Sequence, residues 1–392
     1  MKILLTALAT VTAGCGTEYD TAARKTDWDN DGLKGKVKSL REISYKAVEI
    51  SGELVKNGCK GDNYLKKYDA DGNITEWNRY KSDGSLSSRE TYRYDSRGNT
   101  SECNWYGTDN SLYRKYTYKY DSKGKLAEYR RYNPDGSLDI EEIYIYDACG
   151  NQTERNKYNA DGSAEWKYTC QYDSKGKLTE EIRHHLDSSL DIKITCKYDS
   201  CGNLTEENIY NTSGSLRWKY TFEYDGKGNR TEGNKYTPEG YLKWKYACKY
   251  DDCGNRTEYK VYKPDGSLDC VYTYKYDCNG KRTEHNRYNP DGSLKWKYTY
   301  RYDAQGNCTE YNEYKSDGIL ECKNTCQYDA QGNRTEYNEY NSDGSLYRKE
   351  IYKYDGKGNR IEEIICKGAA NKVVAITERT IEYYEEPELR FS

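Results

Sequence analysis

Tyr302-Asp303-Ala304-Gln305-Gly306-Asn307-Cys308-Thr309-Glu310 is one of twelve copies of a single pattern, and its reading decides the fold. The marker tyrosines are Tyr68, Tyr94, Tyr120, Tyr146, Tyr172, Tyr198, Tyr224, Tyr250, Tyr276, Tyr302, Tyr328 and Tyr354, always 26 residues apart. Asp follows each marker, Gly stands four residues on, and Glu eight residues on, in all twelve copies. A fixed period of this kind marks a repeat array rather than a string of ordinary domains.

Each copy contains two turn signals. In Asp303-Ala304-Gln305-Gly306, Asp at the first position and Gly at the fourth fit a type I turn with a glycine bulge. In Asn289-Pro290-Asp291-Gly292-Ser293, Pro takes the second turn position, where its fixed φ suits the turn. Runs rich in Tyr, Thr and Trp lie between the turns and read as strands. The expected fold is therefore all-β: a long antiparallel meander of two-stranded 26-residue repeats, about 22 strands plus caps. Twist accumulates over so many strands, so the sheet is expected to curl into a spiral or curved ribbon.

The two turns also imply a register. If both are three-residue loops, Asp303 pairs with Asn307, and Asn289 with Ser293. Simple alternation then puts Leu294, Trp296, Tyr298, Tyr300 and Tyr302 on one face with Cys308, Glu310, Asn312 and Tyr314. Lys295, Lys297, Thr299, Arg301, Thr309, Tyr311 and Glu313 take the other, charged and more variable face. On this reading the Glu of every copy sits among tyrosines, where it can accept their hydroxyl hydrogen bonds.

The composition is unusual, with 46 Tyr, two Phe, one Met and 32% charged residues. The aromatic content and strict register oppose disorder despite the low hydropathy. Charge is interspersed and the net is −3, which provides no clustered basic face for nucleic acid. There are only three His, and no nucleophile elbow, P-loop or dinucleotide fingerprint. An enzyme is not expected, nor a metal or cofactor.

The flanks differ from the array. Residues 1–14 read as a signal peptide of lipoprotein type, with a short apolar run ending in Thr12-Ala13-Gly14 before Cys15. The small residues before Cys15 resemble a bacterial lipobox, which implies lipidation at Cys15; a plain secretory signal cleaved near Ala13-Gly14 is the alternative. Residues 15–32 read as a polar tether. They include Asp27-Trp28-Asp29-Asn30-Asp31-Gly32, which opens like a calcium loop but has Lys38 at the position of its final Glu. Residues 33–67 are expected to form N-terminal capping strands, 68–366 the array, and 367–392 a C-terminal cap and tail.

The unit Tyr-x-Tyr-Asp-x-x-Gly-Asn-x-Thr-Glu, clear at Tyr118-Lys119-Tyr120-Asp121 and Tyr300-Arg301-Tyr302-Asp303, resembles the YD repeat of the Rhs family. It covers roughly three quarters of the chain, though the family unit is usually shorter. The Asp-Gly-Ser-Leu turns also resemble MORN-like bacterial repeats. The resemblance implies a spiralling β-sheet shell; large members of the family enclose a toxin segment, and animal relatives mediate cell–cell adhesion. This chain is expected to be too short for a full closed shell and to lack a C-terminal toxin domain.

Fifteen Cys in an exported chain ordinarily suggest disulfides. Cys170, Cys196, Cys248 and Cys326 share one phase, and Cys149, Cys201 and Cys253 another. Same-phase residues stand two strands apart, roughly 9–10 Å, beyond disulfide reach. They read as small apolar members of the ladder, with bridges at the caps left open. The functional expectation is a surface-tethered, non-enzymatic binding or adhesion scaffold for glycan or protein partners. It is held to the membrane by a lipid, in the outer membrane or at the cell surface. The alternative is an accessory shell related to Rhs toxin delivery. Trp166, Trp218, Trp244 and Trp296 share one phase and are the candidate binding aromatics, or else packing within the ladder.

Overall fold

The computed structural model describes residues 25–50, 53–61, 63–185 and 189–385. Cys15 and the leader at 1–14 lie outside the described residues. The chain begins with a single helical turn, α1 (Asp27–Asn30), followed by β1 (Val37–Ile50), β2 (Glu53–Cys59) and β3 (Asn63–Tyr68). From there strands of seven to nine residues alternate with turns through the array, up to a last strand, Lys372–Tyr383. The 27 strands of the described residues all belong to one antiparallel sheet.

The turns form where the glycines are. The Asp303 amide donates to the Asn307 carbonyl at 3.0 Å, and the Gly306 amide to the Asp303 carbonyl at 3.0 Å. Gly306 has φ +84° and Gly292 +83°, a left-handed conformation that a Cβ opposes. The Asp of each marker pair holds the turn itself, as Asp303 Oδ1 does by accepting from the Asn307 amide at 2.8 Å.

The sheet closes. One edge of β1 pairs with the last strand from Val37–Tyr383 through Lys46–Ala375. Its other edge pairs with β3 over Ser39–Glu42 and then with β2 over Tyr45–Ile50. Twenty-six strands form the ring, with β2 folded back as a side hairpin. The open spiral or curved ribbon is therefore corrected to a closed β-barrel, and the chain is long enough to close. The physical reason lies in the flanks. β1 has 14 residues and the last strand 12, longer than the array strands, and together they satisfy both open edges. The circumference is about 125 Å at about 4.8 Å per strand. Among the described residues, substantial backbone approaches run only between strands that pair, and most array-strand side chains on both faces are only half-buried, so the walls do not meet in a common packed core and the barrel is hollow.

The face assignment is also corrected. Arg301 pairs with Glu310, but the next pair is Tyr302–Cys308, so Thr309 is an extra residue. Likewise Arg287 pairs with Trp296 and Tyr288 with Leu294, leaving Lys295 extra. Both turns are the expected three-residue loops, but a β-bulge follows each one and reverses the alternation beyond it. Tyr311 and Glu313 therefore share a face with Trp296, Tyr298 and Tyr300. The recurring Glu and the Asn two residues after it share the opposite face with Lys297 and Thr299.

The seam holds the main apolar cluster, Leu33, Val37, Leu40 and Tyr68, with Trp28, Ile381 and Tyr383 packed against it. Trp28 Nε1 donates to the Val37 carbonyl at 2.8 Å. The carboxylates that resemble a calcium loop are occupied here. Asp27 accepts from the Ile74 amide, Asp29 from Thr26, and Asp31 from both Lys66 and Tyr68.

Candidate binding face

The two faces of the barrel wall differ in how much they change from copy to copy. The polar face repeats one network. Glu284 takes hydrogen bonds or ion pairs from Asn286 at 2.8 Å, Lys297 at 2.9 Å and Lys275 at 3.0 Å, and Asn286 Nδ2 also reaches Thr273 at 3.1 Å. Glu206 repeats this with Asn208, Lys219 and Lys197, and the lysines and Asn208 hold its carboxyl down at about 2. The recurring Glu is thus an acceptor for lysine or arginine in every copy, and for asparagine where Asn stands two residues on, not the acceptor for tyrosine hydroxyls expected from simple alternation.

The marker tyrosines make a second repeating contact. Tyr302 Oη donates to the carbonyl of Arg282, in the preceding copy, at 2.8 Å. Tyr224 does so to Leu204 at 2.9 Å and Tyr146 to Leu126 at 2.9 Å. Tyr68 has no preceding copy and donates to Asp31 instead. Each of the other eleven markers therefore latches its repeat to the one before.

The aromatic face is where copies differ. Nine residues after the marker, one position beyond the invariant Glu, stand seven residue types, among them Trp77, Arg155, Glu207, Gly233, His285 and Tyr311. Cross-strand aromatic contacts run along this face. Tyr298 stacks on Tyr311 at 5.5 Å and 15°, and His285 stacks on Tyr274 at 4.6 Å and meets Trp296 edge-on at 4.7 Å. Burial, with Arg282 and Arg256 nearby, lowers His285 to about 4, so its imidazole is neutral at physiological pH.

The four candidate tryptophans all lie half-buried on this face. Trp166 faces the Arg155 guanidinium at 5.2 Å and Trp218 the Lys235 ammonium at 3.9 Å. Trp244 and Trp296 pack on Tyr246 and Tyr298. They do not converge into one cluster, because each belongs to a different repeat. A depression of about 870 Å³ lies between Leu204 and His285, with Trp244, Tyr246, Arg230 and Arg256 in its lining. Sequence reasoning missed the arginines here. Their signal was the repeated Arg six residues after the marker at Arg230, Arg256 and Arg282.

Among the described residues neither face carries a continuous apolar band. Arg256, Glu142 and Arg155 interrupt the aromatic face, and Lys and Glu fill the polar one. A lipid-facing barrel wall requires such a band, since a buried charge there costs about 2–4 kcal/mol.

The fourteen described cysteines are free thiols. Cys103, Cys170, Cys248, Cys270 and Cys366 are buried, whereas Cys149, Cys201, Cys253 and Cys278 sit exposed in turns.

No family model matches the chain. No curated protein matches it either. Among solved structures it is weakly similar to the crystal structure of TcdB2-TccC3, at 11% identity and a TM-score of 0.43, over 80% of this chain and 20% of that one. The structure of the Photorhabdus luminescens Tc holotoxin pore matches at 11% identity and a TM-score of 0.37, over 80% and 19%. A porin-like protein from Bacteroides uniformis matches at 10% identity and a TM-score of 0.19, over 89% and 99%. The chain spans about a fifth of the length of the Tc structures it matches.

Proposed function

We propose that this chain is a non-enzymatic binding scaffold that presents its aromatic face to glycan or protein partners and is tethered to the cell envelope by a lipid on Cys15. One observation carries the reading. The polar face keeps its Glu in all twelve copies, the Asn two residues later in eight of them, and the facing Thr and Lys in most, while seven residue types stand next to that Glu on the aromatic face. Positions that only maintain the fold have reason to repeat, and positions that meet a partner have reason to differ. Long repeat surfaces suit such partners, and half-exposed aromatic rings offer both an apolar face and a polar edge. A second reading, an accessory shell, rests on the closed wall around an open interior.

The test compares two variants of the full chain on intact cells and on a glycan array. Replacing Trp166, Trp218, Trp244 and Trp296 together by Ala is expected to abolish binding. Replacing Lys197 and Lys275 on the polar face by Ala is expected to preserve it. The reverse pattern rejects the reading. For the anchor, Cys15→Ala is expected to abolish lipid incorporation and globomycin-sensitive processing. Unchanged labelling with a radioactive fatty acid rejects that part.

A further inference from the structure

Arg230, Arg256 and Arg282 hold the same position in three successive repeats, six residues after the marker. They form a row along the aromatic face, with neighbours two strands apart, roughly 9–10 Å. Each guanidinium lies against rings: Arg230 over Phe222 at 4.3 Å, Arg256 between Tyr259 at 4.9 Å and Tyr274 at 5.1 Å, and Arg282 over Tyr300 at 5.5 Å. Among the described residues none of the three has a carboxylate at ion-pair distance. The same phase elsewhere does: Arg334 faces Glu350 at 3.9 Å, and Arg360 pairs with Glu363 at 3.1 Å. The difference arises at two positions: nine residues after the marker, where these repeats carry Gly233, Tyr259 and His285 in place of the carboxylate of Glu363, and twenty-two after it, where they carry Tyr246, Tyr272 and Tyr298 in place of that of Glu350. Gly233 has a further effect. Tyr246 lies across its backbone, where a Cβ would overlap the ring, and this deepens the depression beside Arg230 and Arg256.

We propose that this patch binds an acidic oligosaccharide of the uronate type, its carboxylates meeting the arginine row and its ring faces lying on the aromatics between. The inference rests on the binding-face reading above and specifies its ligand. An arginine presents a fork that fits a carboxylate with two parallel hydrogen bonds. Cations that alternate with rings suit a polymer of pyranose rings bearing carboxylates. A nucleic-acid single strand fits less well, because acidic and basic residues are interspersed along a chain of net charge −3, with no clustered basic face to draw in a phosphate backbone.

Calorimetric titration of the full chain tests the proposal, with oligogalacturonate as the probe and neutral galactan oligosaccharide, oligothymidylate and polyglutamate as comparators. Oligogalacturonate is expected to bind at least about tenfold more tightly than each comparator, and to weaken with added salt. Arg256→Gln and Arg282→Gln should each weaken it about tenfold, the loss of one charge-assisted contact. Arg334→Gln, at the same phase but ion-paired, should leave affinity unchanged, and thermal unfolding of each variant checks that the barrel is intact. Equal affinity for the neutral sugar, tighter binding of oligothymidylate or polyglutamate, no binding of oligogalacturonate, or an equal loss in Arg334→Gln each overturns the proposal. A neutral glycan or protein partner lost only on tryptophan replacement would sustain the broader binding reading while this one falls.

Discussion

At the scale of single residues, the wall is held by small contacts made many times. The hydroxyl of Tyr224 closes on the Leu204 carbonyl, so Tyr224→Phe should cost about 0.5–1.5 kcal/mol, measurable by urea unfolding. Gly233 is strict for a different reason. A Cβ there overlaps the Tyr246 ring, so Gly233→Ala should destabilise by about 1–3 kcal/mol and change the environment of Tyr246. An unchanged melting temperature would mean that Tyr246 moves aside freely. The polar network adds a pH dependence. The carboxyl of Glu206 is lowered to about 2 by Lys197, Lys219 and Asn208, and that of Glu284 to about 2 by Asn286 and its lysines, against the opposing effect of burial. Unfolded Glu titrates near about 4.3. A folded value below the unfolded one stabilises at higher pH, so this contribution is full above about pH 5 and lost as pH falls through about 2. Carboxyl NMR should place the Glu206 midpoint near that lower value. A midpoint in the ordinary glutamate range would contradict the network.

At the scale of elements, the sequence speaks clearly about turns and weakly about the bulges beside them. Asp303, Gly306 and the period announce the hairpins, and Asn289-Pro290-Asp291-Gly292 does the same at the other end. The bulges at Thr309 and Lys295 are less visible, because a bulge residue has no obligatory side chain and one extra residue reverses every position beyond it. A trace does exist. Thr309 Oγ1 reaches the Arg301 carbonyl at 3.3 Å, as Thr205 reaches Lys197 at 3.2 Å, so the frequent Thr before the invariant Glu marks the bulge. Placing the Glu among tyrosines came from missing that extra residue. That Trp296 shares a face with Tyr298 and Tyr300 was legible, because it needs only the strand that carries them. The arginine row was not, since its ring partners and lack of ion-paired carboxylates depend on which strand stands opposite. Register also fixes the seam, where the ladder between β1 and the last strand meets the apolar cluster. Leu40 is 2% exposed within the apolar cluster there. Leu40→Ala should cost about 2–5 kcal/mol. Hydrogen exchange should then rise first in β1 and the strand Lys372–Tyr383, and uniform protection across the ring would refute that order of opening.

At the scale of the whole molecule, closure removes both edges of a sheet that would otherwise invite pairing with other chains. The seam is stitched from distant parts of the chain. The Lys34 amide donates to Asn359 Oδ1 at 2.7 Å, Asn359 Nδ2 to the Lys34 carbonyl at 2.8 Å, and Tyr384 Oη to the Tyr68 carbonyl at 2.6 Å. Neither closing strand shows the repeat, so sequence periodicity could not announce their union. A hollow ring should be larger than a filled globule of equal length, with a radius of gyration above about 21 Å in small-angle scattering. A value at or below that figure would mean that the walls have collapsed together. The ring also obeys a counting rule. Antiparallel neighbours must alternate in direction all the way round, which only an even number of strands permits, and the ring has 26. Each repeat contributes two strands, so loss or duplication of a whole 26-residue unit keeps the number even and leaves β1 and the last strand correctly opposed. Removal of half a unit would bring them together in parallel, and the seam could not form in its present register. The barrel can therefore change circumference only in whole-unit steps, a constraint set by parity and independent of which side chains the units carry.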